Sequence, residues 1–177
     1  MRPVHDYNKS IKILDSTHIE TFDSVLIDIG ALGKGYFVDK LDEYLKTENI
    51  KKFLVNGSGD IRYFGNEKIQ VGLEHPSDKN KVIGKVDMGT GAMCASGCDR
   101  RQWGDYHHII DPASLTSPKN ILSTWVIAGN AALADALATC LFLAPPENFE
   151  SKFKFEYCIL NSEMLIKKSE GFHAEFY

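Results

Sequence analysis

No stretch of this 177-residue sequence is apolar for long enough to cross a bilayer as a helix. The longest apolar run lies within Leu137–Pro146, well short of the about 18–20 residues a spanning helix needs. Met1–Ile11 mixes Arg2, His5, Asp6 and Lys9 with few apolar residues, so the sequence predicts no secretory signal there. Clustered basic residues are also lacking: 20 Lys and Arg against 24 Asp and Glu give a formal net charge of −4 at pH 7, which argues against a nucleic-acid-binding surface. Cysteine is sparse. Four of them (Cys94, Cys98, Cys140 and Cys158) in a chain of this size read as small buried thiols, because such a domain needs no disulfide framework. Cys94 and Cys98 have a spacing that suits zinc, but no second Cys/His pair with suitable spacing follows. Internal repeats and low-complexity segments are missing as well.

What is present is enough for a core: 44% of the residues are hydrophobic and 11% aromatic, and the length suits one domain over residues 1–177. Val25–Ile29 reads as a short strand, followed by a glycine-crowded turn at Gly30, Gly33 and Gly35. Phe37, Leu41, Tyr44 and Leu45 then recur at helical spacing, with Asp39, Lys40, Asp42, Glu43 and Lys46 expected on the solvent side. Lys52–Asn56, Ile61–Phe64 and Ile69–Leu73 predict a meander, with the turn Asn56-Gly57-Ser58-Gly59-Asp60 between its first two strands. Further strands are expected at Val82–Met88, Met93–Ser96, His107–Ile110 and Ser123–Ala128. Asn130 is placed to cap a helix over Ala131–Leu143 that stops before Pro145-Pro146, and a hairpin joins Phe155–Leu160 to Met164–Lys168. Many short strands with two clear helices predict an α+β fold rather than a doubly wound one.

The helix over Ala131–Leu143 is apolar nearly all round, which makes Asp135 anomalous: a buried carboxylate needs a cation or strong donors. Thr139 lies four positions on, hence on the same face. A carboxylate and a hydroxyl, with a main-chain carbonyl, form an all-oxygen set suited to Mg²⁺; a back-bonded threonine and an ion-paired aspartate are the structural alternative. Gly30–Gly35 can expose main-chain N–H groups and the Lys34 ammonium to a phosphate, or be a plain turn; its spacing is neither a Walker A loop nor Gly-x-Gly-x-x-Gly. His107 and His108 precede an apolar pair and an Asp-Pro turn, where a histidine serves as a proton carrier or simply bonds a strand edge. Arg100 and Arg101 suit phosphate oxygens or a salt bridge.

Taken in order, these segments resemble the ApbE family of flavin transferases. Asp28-Ile29-Gly30-Ala31-Leu32-Gly33-Lys34-Gly35 with Asp39 resembles that family's Asp-x-Gly-x-x-x-Lys-Gly-x-x-x-Asp signature, and Asn56–Asp60 its Asn-x-Gly-Gly-Asp turn. Val71–Pro76 is similar to its Val-Gly-Ile-x-x-Pro strand end, and Ser96-Gly97 with Arg100-Arg101 to its Ser-Gly-x-x-x-Arg element. His108–Pro112 and Ala134–Thr139 match two more family segments in the same order.

The resemblance implies an ApbE-like, T-fold-like fold with a mixed, mostly antiparallel sheet and packed helices. It also implies that Ala31, through its carbonyl, Asp135 and Thr139 hold Mg²⁺. Asp28, Lys34 and the main chain at Ile109 are then expected to contact FAD, and His108 to assist transfer of FMN to a Ser or Thr of an acceptor flavoprotein. Departures occur at Cys98-Asp99, where Asp-Tyr is common, and at Ala113-Ser114-Leu115, where Thr-Gly often follows the proline. The family's N-terminal Met-Gly-Thr element has no counterpart, so the expectation is a shortened member or a fragment that covers one side of the flavin. A homo-oligomer or complementing chain would supply the other. The alternatives are a homologue that binds or hydrolyses FAD, or a non-catalytic interaction protein. Family members often work outside the cytoplasm, anchored to a membrane.

Overall fold

The computed structural model describes residues 6–99 and 101–177. Arg100, and Arg2 and His5 of the amino-terminal stretch, lie outside the described residues. The chain runs through a helical turn α1 (Tyr7–Ser10), a small hairpin β1 (Ile11–Ile13) and β2 (Ile19–Thr21), then helix α2 (Gly33–Thr47). Strands β3 (Phe53–Asn56), β4 (Ile61–Phe64), β5 (Ile69–His75), β6 (Asp78–Met88) and β7 (Gly91–Gly97) follow. After the short pair β8 (Gln102–Trp103) and β9 (Tyr106–His107) come β10 (Ile121–Ala128), helix α3 (Ala131–Cys140) and a helical turn α4 (Glu147–Glu150). Strands β11 (Phe155–Asn161), β12 (Ile166–Lys168) and β13 (Ala174–Phe176) close the chain.

The architecture is α+β in three layers. A six-stranded sheet in the order β12-β11-β10-β7-β4-β3 forms the centre, with every pairing antiparallel. Successive side chains of a strand point to opposite faces, and the sequence uses that period on both sides. Ala92, Cys94, Val126, Ala128, Tyr157 and Ile159 face the helices, where Val38 of α2 and Ala131, Ala134, Leu137 and Ala138 of α3 complete one core. Met93, Trp125, Cys158 and Leu160 face the other way, onto Val71, Leu73, Val86 and Met88 of the three-stranded sheet β13-β6-β5. Small residues on the α3 side let the helix lie close to the sheet, and the Thr124 hydroxyl donates to the Ala138 carbonyl at 2.6 Å to pin it there. Each fully buried Val or Leu in these cores contributes about 1.5–3 kcal/mol relative to leaving it in water.

Several expectations need correction. Val25–Ile29 forms no strand and pairs with none among the described residues, and Leu26 is 94% exposed. Its apolar composition fits a strand; a strand also needs a neighbour for its main chain. Ile69–Leu73 does not continue a meander with β4; it pairs with β6 in the smaller sheet. Of the expected His107–Ile110 strand only His107 is paired, at the end of β9, while His108 bends and Ile109 and Ile110 join no strand among the described residues. Helix α2 is rotated from its predicted face: Gly35, Val38 and Asp42 are buried, whereas Phe37 and Tyr44 are exposed. Asp42 tolerates burial because Arg62 Nε lies 3.0 Å away and Lys46 Nζ 2.7 Å away. The late helix ends at Cys140, three residues earlier than expected, and its Asn130 cap accepts the Leu133 N–H at 2.8 Å as the sequence predicts.

Candidate active site

The first turns of α2 and α3 meet almost in contact, and the glycine at position 35 permits it. A Cβ there would collide with the Ala131 carbonyl, so only glycine lets the two backbones approach. Asp39, one turn further along α2, accepts the N–H groups of Ala131 and Ala132 at 2.8 Å each and so caps α3 from a neighbouring helix. Asp28 accepts the Gly30 N–H at 2.7 Å and thereby shapes the turn that leads into α2. The spaced Asp, Gly, Lys, Gly and Asp of this segment thus each have a structural reason: turn, turn, charge, close approach and cap.

Beside this junction opens a cleft of about 620 Å³. Asp28, Ala31, Lys34, His108, Ile109, Asp135 and Thr139 all line it, although they come from three separate parts of the chain. All seven residues singled out from the sequence therefore share one cavity. The turn after β5, with Glu74, His75 and Pro76, forms another wall, and Met93, Ser96 and Trp125 of the central sheet form the floor.

Asp135 is 3% exposed, and its Oδ2 accepts the Gly35 N–H at 3.0 Å. Lys34 Nζ stands 3.6 Å from its Oδ1 and bonds directly to Asp60 Oδ2. Asp60 closes the glycine turn after β3, in which Ser58 and Gly59 adopt left-handed backbone (φ 62° and 104°) and the Asn56 side chain accepts the Gly59 N–H. The Asp60 side chain is buried, and its Oδ1 has no hydrogen-bond partner among the described residues. Burial first, and then the Asp60 charge, hold the Asp135 carboxyl above its ordinary value. For Lys34, burial works against the ammonium but bonding to Asp60 and the charges of Asp60 and Asp135 outweigh it, so its pKa is raised. One ammonium faces two buried carboxylates: the pocket has negative charge to spare.

The donor chemistry fits a hard cation. Asp135 supplies charge, Thr139 Oγ1 lies 3.3 Å from Ser96 Oγ, and Ala31 stands at the same rim. Among the described residues, no three His, Cys, Asp or Glu side chains gather to hold a metal, which leaves hydroxyls and carbonyls to complete a shell. Cys94 does not serve: it is buried beneath the junction, its thiol donates to the Ala131 carbonyl at 3.5 Å, and burial with the nearby carboxylates keeps it protonated.

The two adjacent histidines divide their work. His107 is buried; its Nε2 donates to the Pro118 carbonyl at 2.8 Å, which leaves Nδ1 to accept the Ile109 N–H at 3.3 Å. It is a brace for the Ile109 segment. His108 is exposed at the cleft, and partial desolvation followed by the charge of Arg101 lowers its pKa below the ordinary 6.5, so the ring is neutral at pH 7. Sequence reasoning placed Asp39 on the solvent side of its helix and Asp60 in a turn, and read His107 as a proton carrier or a strand-edge bond; it did not foresee a cap, a partner for Lys34 or a brace. The signals were present: a carboxylate ending a glycine turn before an apolar strand, a helix start in need of a cap, and a paired histidine.

The three-layer α+β fold, with a carboxylate-lined cleft where two helix starts meet, is compatible with the fold class that the sequence motifs suggest. Comparison with known proteins agrees, since the ApbE family pattern matches residues 3–156, and the chain belongs to the ApbE family. The FAD:protein FMN transferase of Klebsiella pneumoniae is 32% identical over 139 residues, covering 73% of this chain and 43% of the relative. That of Escherichia coli K12 is 30% identical over 156 residues, covering 82% and 44%. The ApbE protein of Thermotoga maritima superposes with a TM-score of 0.83 at 26% identity, covering 96% of this chain and 60% of that one. The flavin transferase ApbE of Vibrio cholerae shares the fold, with a TM-score of 0.74 at 20% identity. The chain spans less than half the length of these curated relatives.

Proposed function

We propose that the cleft binds FAD together with Mg²⁺ and transfers the FMN unit to a Ser or Thr hydroxyl of an acceptor flavoprotein. The observation that carries this reading is the convergence of Asp28, Ala31, Lys34, His108, Ile109, Asp135 and Thr139 on one cavity in a chain of this family. Asp135, Thr139 and the Ala31 carbonyl would hold the cation, whose chemistry is to neutralise the pyrophosphate and stabilise the transferred phosphoryl group. Lys34 and the Asp28 turn face the phosphates, and the main chain at Ile109, braced by His107, lies against the flavin side.

In the transfer, the acceptor hydroxyl oxygen forms a bond to the FMN-side phosphorus. The bond from that phosphorus to the bridging oxygen breaks, and AMP leaves with the oxygen and its electron pair. The hydroxyl proton passes to a ring nitrogen of neutral His108, a contribution of about 10²–10⁴-fold for a well-placed base. Because the His108 pKa lies below 6.5, activity should hold at neutral pH and fall only as the pH drops through that lowered value.

The exposed apolar side chains of the amino-terminal segment, among them Ile13, Phe22, Leu26 and Ile29, and the outer edge of β3 suit cover from a complementing chain or a second copy. On this reading the chain alone binds FAD weakly, and such a partner tightens binding. The test is incubation with FAD, Mg²⁺ and an acceptor peptide bearing the family target motif, followed by intact-mass measurement. Addition of one FMN unit to the peptide, lost with a chelator, is expected. Release of free FMN and AMP without peptide modification would assign hydrolysis instead, and no FAD turnover even with a complementing chain would refute the reading.

A further inference from the structure

Asp60 does not line the cleft; it stands behind Lys34, and its buried carboxylate touches the one ammonium that also faces Asp135. A lysine beside a cation site is ordinarily a competitor of the cation, because its charge neutralises the same carboxylate. Here the ammonium bonds Asp60 directly and keeps only a longer 3.6 Å contact with Asp135. The second oxygen of Asp60 is buried with no hydrogen-bond partner among the described residues, so the contact of Lys34 with the other oxygen is what balances this carboxylate.

We propose that Asp60 is a positioning residue that tethers the Lys34 ammonium to one side of the cleft, so that it counterbalances Asp135 without occupying the place of a divalent cation. The inference rests on the reading of Asp135 as a cation ligand. Its physical content is a sign pattern. Loss of the Asp60 charge removes one negative charge from the pocket and frees the ammonium to move onto Asp135; loss of the Lys34 charge removes a competitor. A residue that only packed the turn would give no such pattern.

The experiment is a titration of the full chain with Mn²⁺ alone, read by electron paramagnetic resonance of the free ion, for the wild type and for Asp60→Asn, Lys34→Met, the double variant and Asp135→Ala. Asp60→Asn is expected to weaken Mn²⁺ binding by at least about tenfold, from the loss of a buried negative charge beside the site and the release of the ammonium onto Asp135. Lys34→Met should tighten it, and the double variant should return close to the wild type. Thermal unfolding guards against misfolding, since Lys34→Met leaves two buried carboxylates facing each other. Its midpoint should rise more with Mn²⁺ than that of the wild type. Weaker or unchanged binding by Lys34→Met, or unchanged binding by Asp60→Asn, would overturn the role of Asp60 while leaving the cation reading in place. Wild-type binding that is absent, or indifferent to Asp135→Ala, would refute the cation reading and the inference with it.

Discussion

Helix α2 carries two buried charge networks, one in its first turn and one two turns later, and they are built differently. In the later network one carboxylate faces two cations: Asp42 lies 3.0 Å from Arg62 Nε and 2.7 Å from Lys46 Nζ, while Arg62 also donates from Nη1 to the Gly129 carbonyl at 2.7 Å. It ties α2 to β4 and to the loop before α3, and none of its three side chains lines the cleft. The first-turn network is the reverse. Two carboxylates, Asp60 and Asp135, share the one Lys34 ammonium, and Lys34 and Asp135 line the cleft. Burial of charge is costly unless every member is matched, so a matched network serves the fold and an unmatched one marks a place where a ligand completes the balance.

This contrast sorts the effects of mutations on stability. Arg62→Leu should cost about 3 kcal/mol, because it leaves Asp42 buried with only the half-exposed Lys46 as partner. Urea unfolding at constant slope measures this, and simultaneous Asp42→Leu should recover much of the loss. Asp39→Ala removes the acceptor for two α3 N–H groups and should cost about 1–2 kcal/mol by the same assay. Asp135→Ala should change stability least, within about 1 kcal/mol, since Lys34 keeps Asp60 and only the Gly35 N–H loses its partner. Yet this substitution should abolish Mg²⁺-dependent FAD chemistry, whereas Thr139→Val weakens it less. A large stability loss from Asp135→Ala with FAD chemistry intact would reverse the assignment of the two networks.

The sheet was legible in the sequence because its pattern is local. Ala92, Met93 and Cys94 alternate between two cores, as do Trp125 and Val126, and Asn130 signals its helix start through its own side chain. The failures share one cause, which is that pattern reading does not see partners. Val25–Ile29 has the composition of a strand and no neighbour, and Asp42 looks like a solvent residue until Arg62, 20 residues later, neutralises it. The cleft residues were found through ordered motifs, since Gly35 and Asp39 sit where backbone geometry permits little else. Asp60 lay within a recognised turn, but its contact with Lys34 spans 26 positions and no spacing rule reveals it.

Whether the junction of α2 and α3 is a divalent-cation site for FAD chemistry is decided by a crystal of the chain grown with Mn²⁺ and FAD. An anomalous peak is expected about 2.0–2.2 Å from the Asp135 carboxylate and the Thr139 hydroxyl, with the Ala31 carbonyl on the same ion and Lys34 still bonded to Asp60. A cleft containing FAD with no peak at Asp135, or a peak coordinated elsewhere on the chain, would contradict a cation site there.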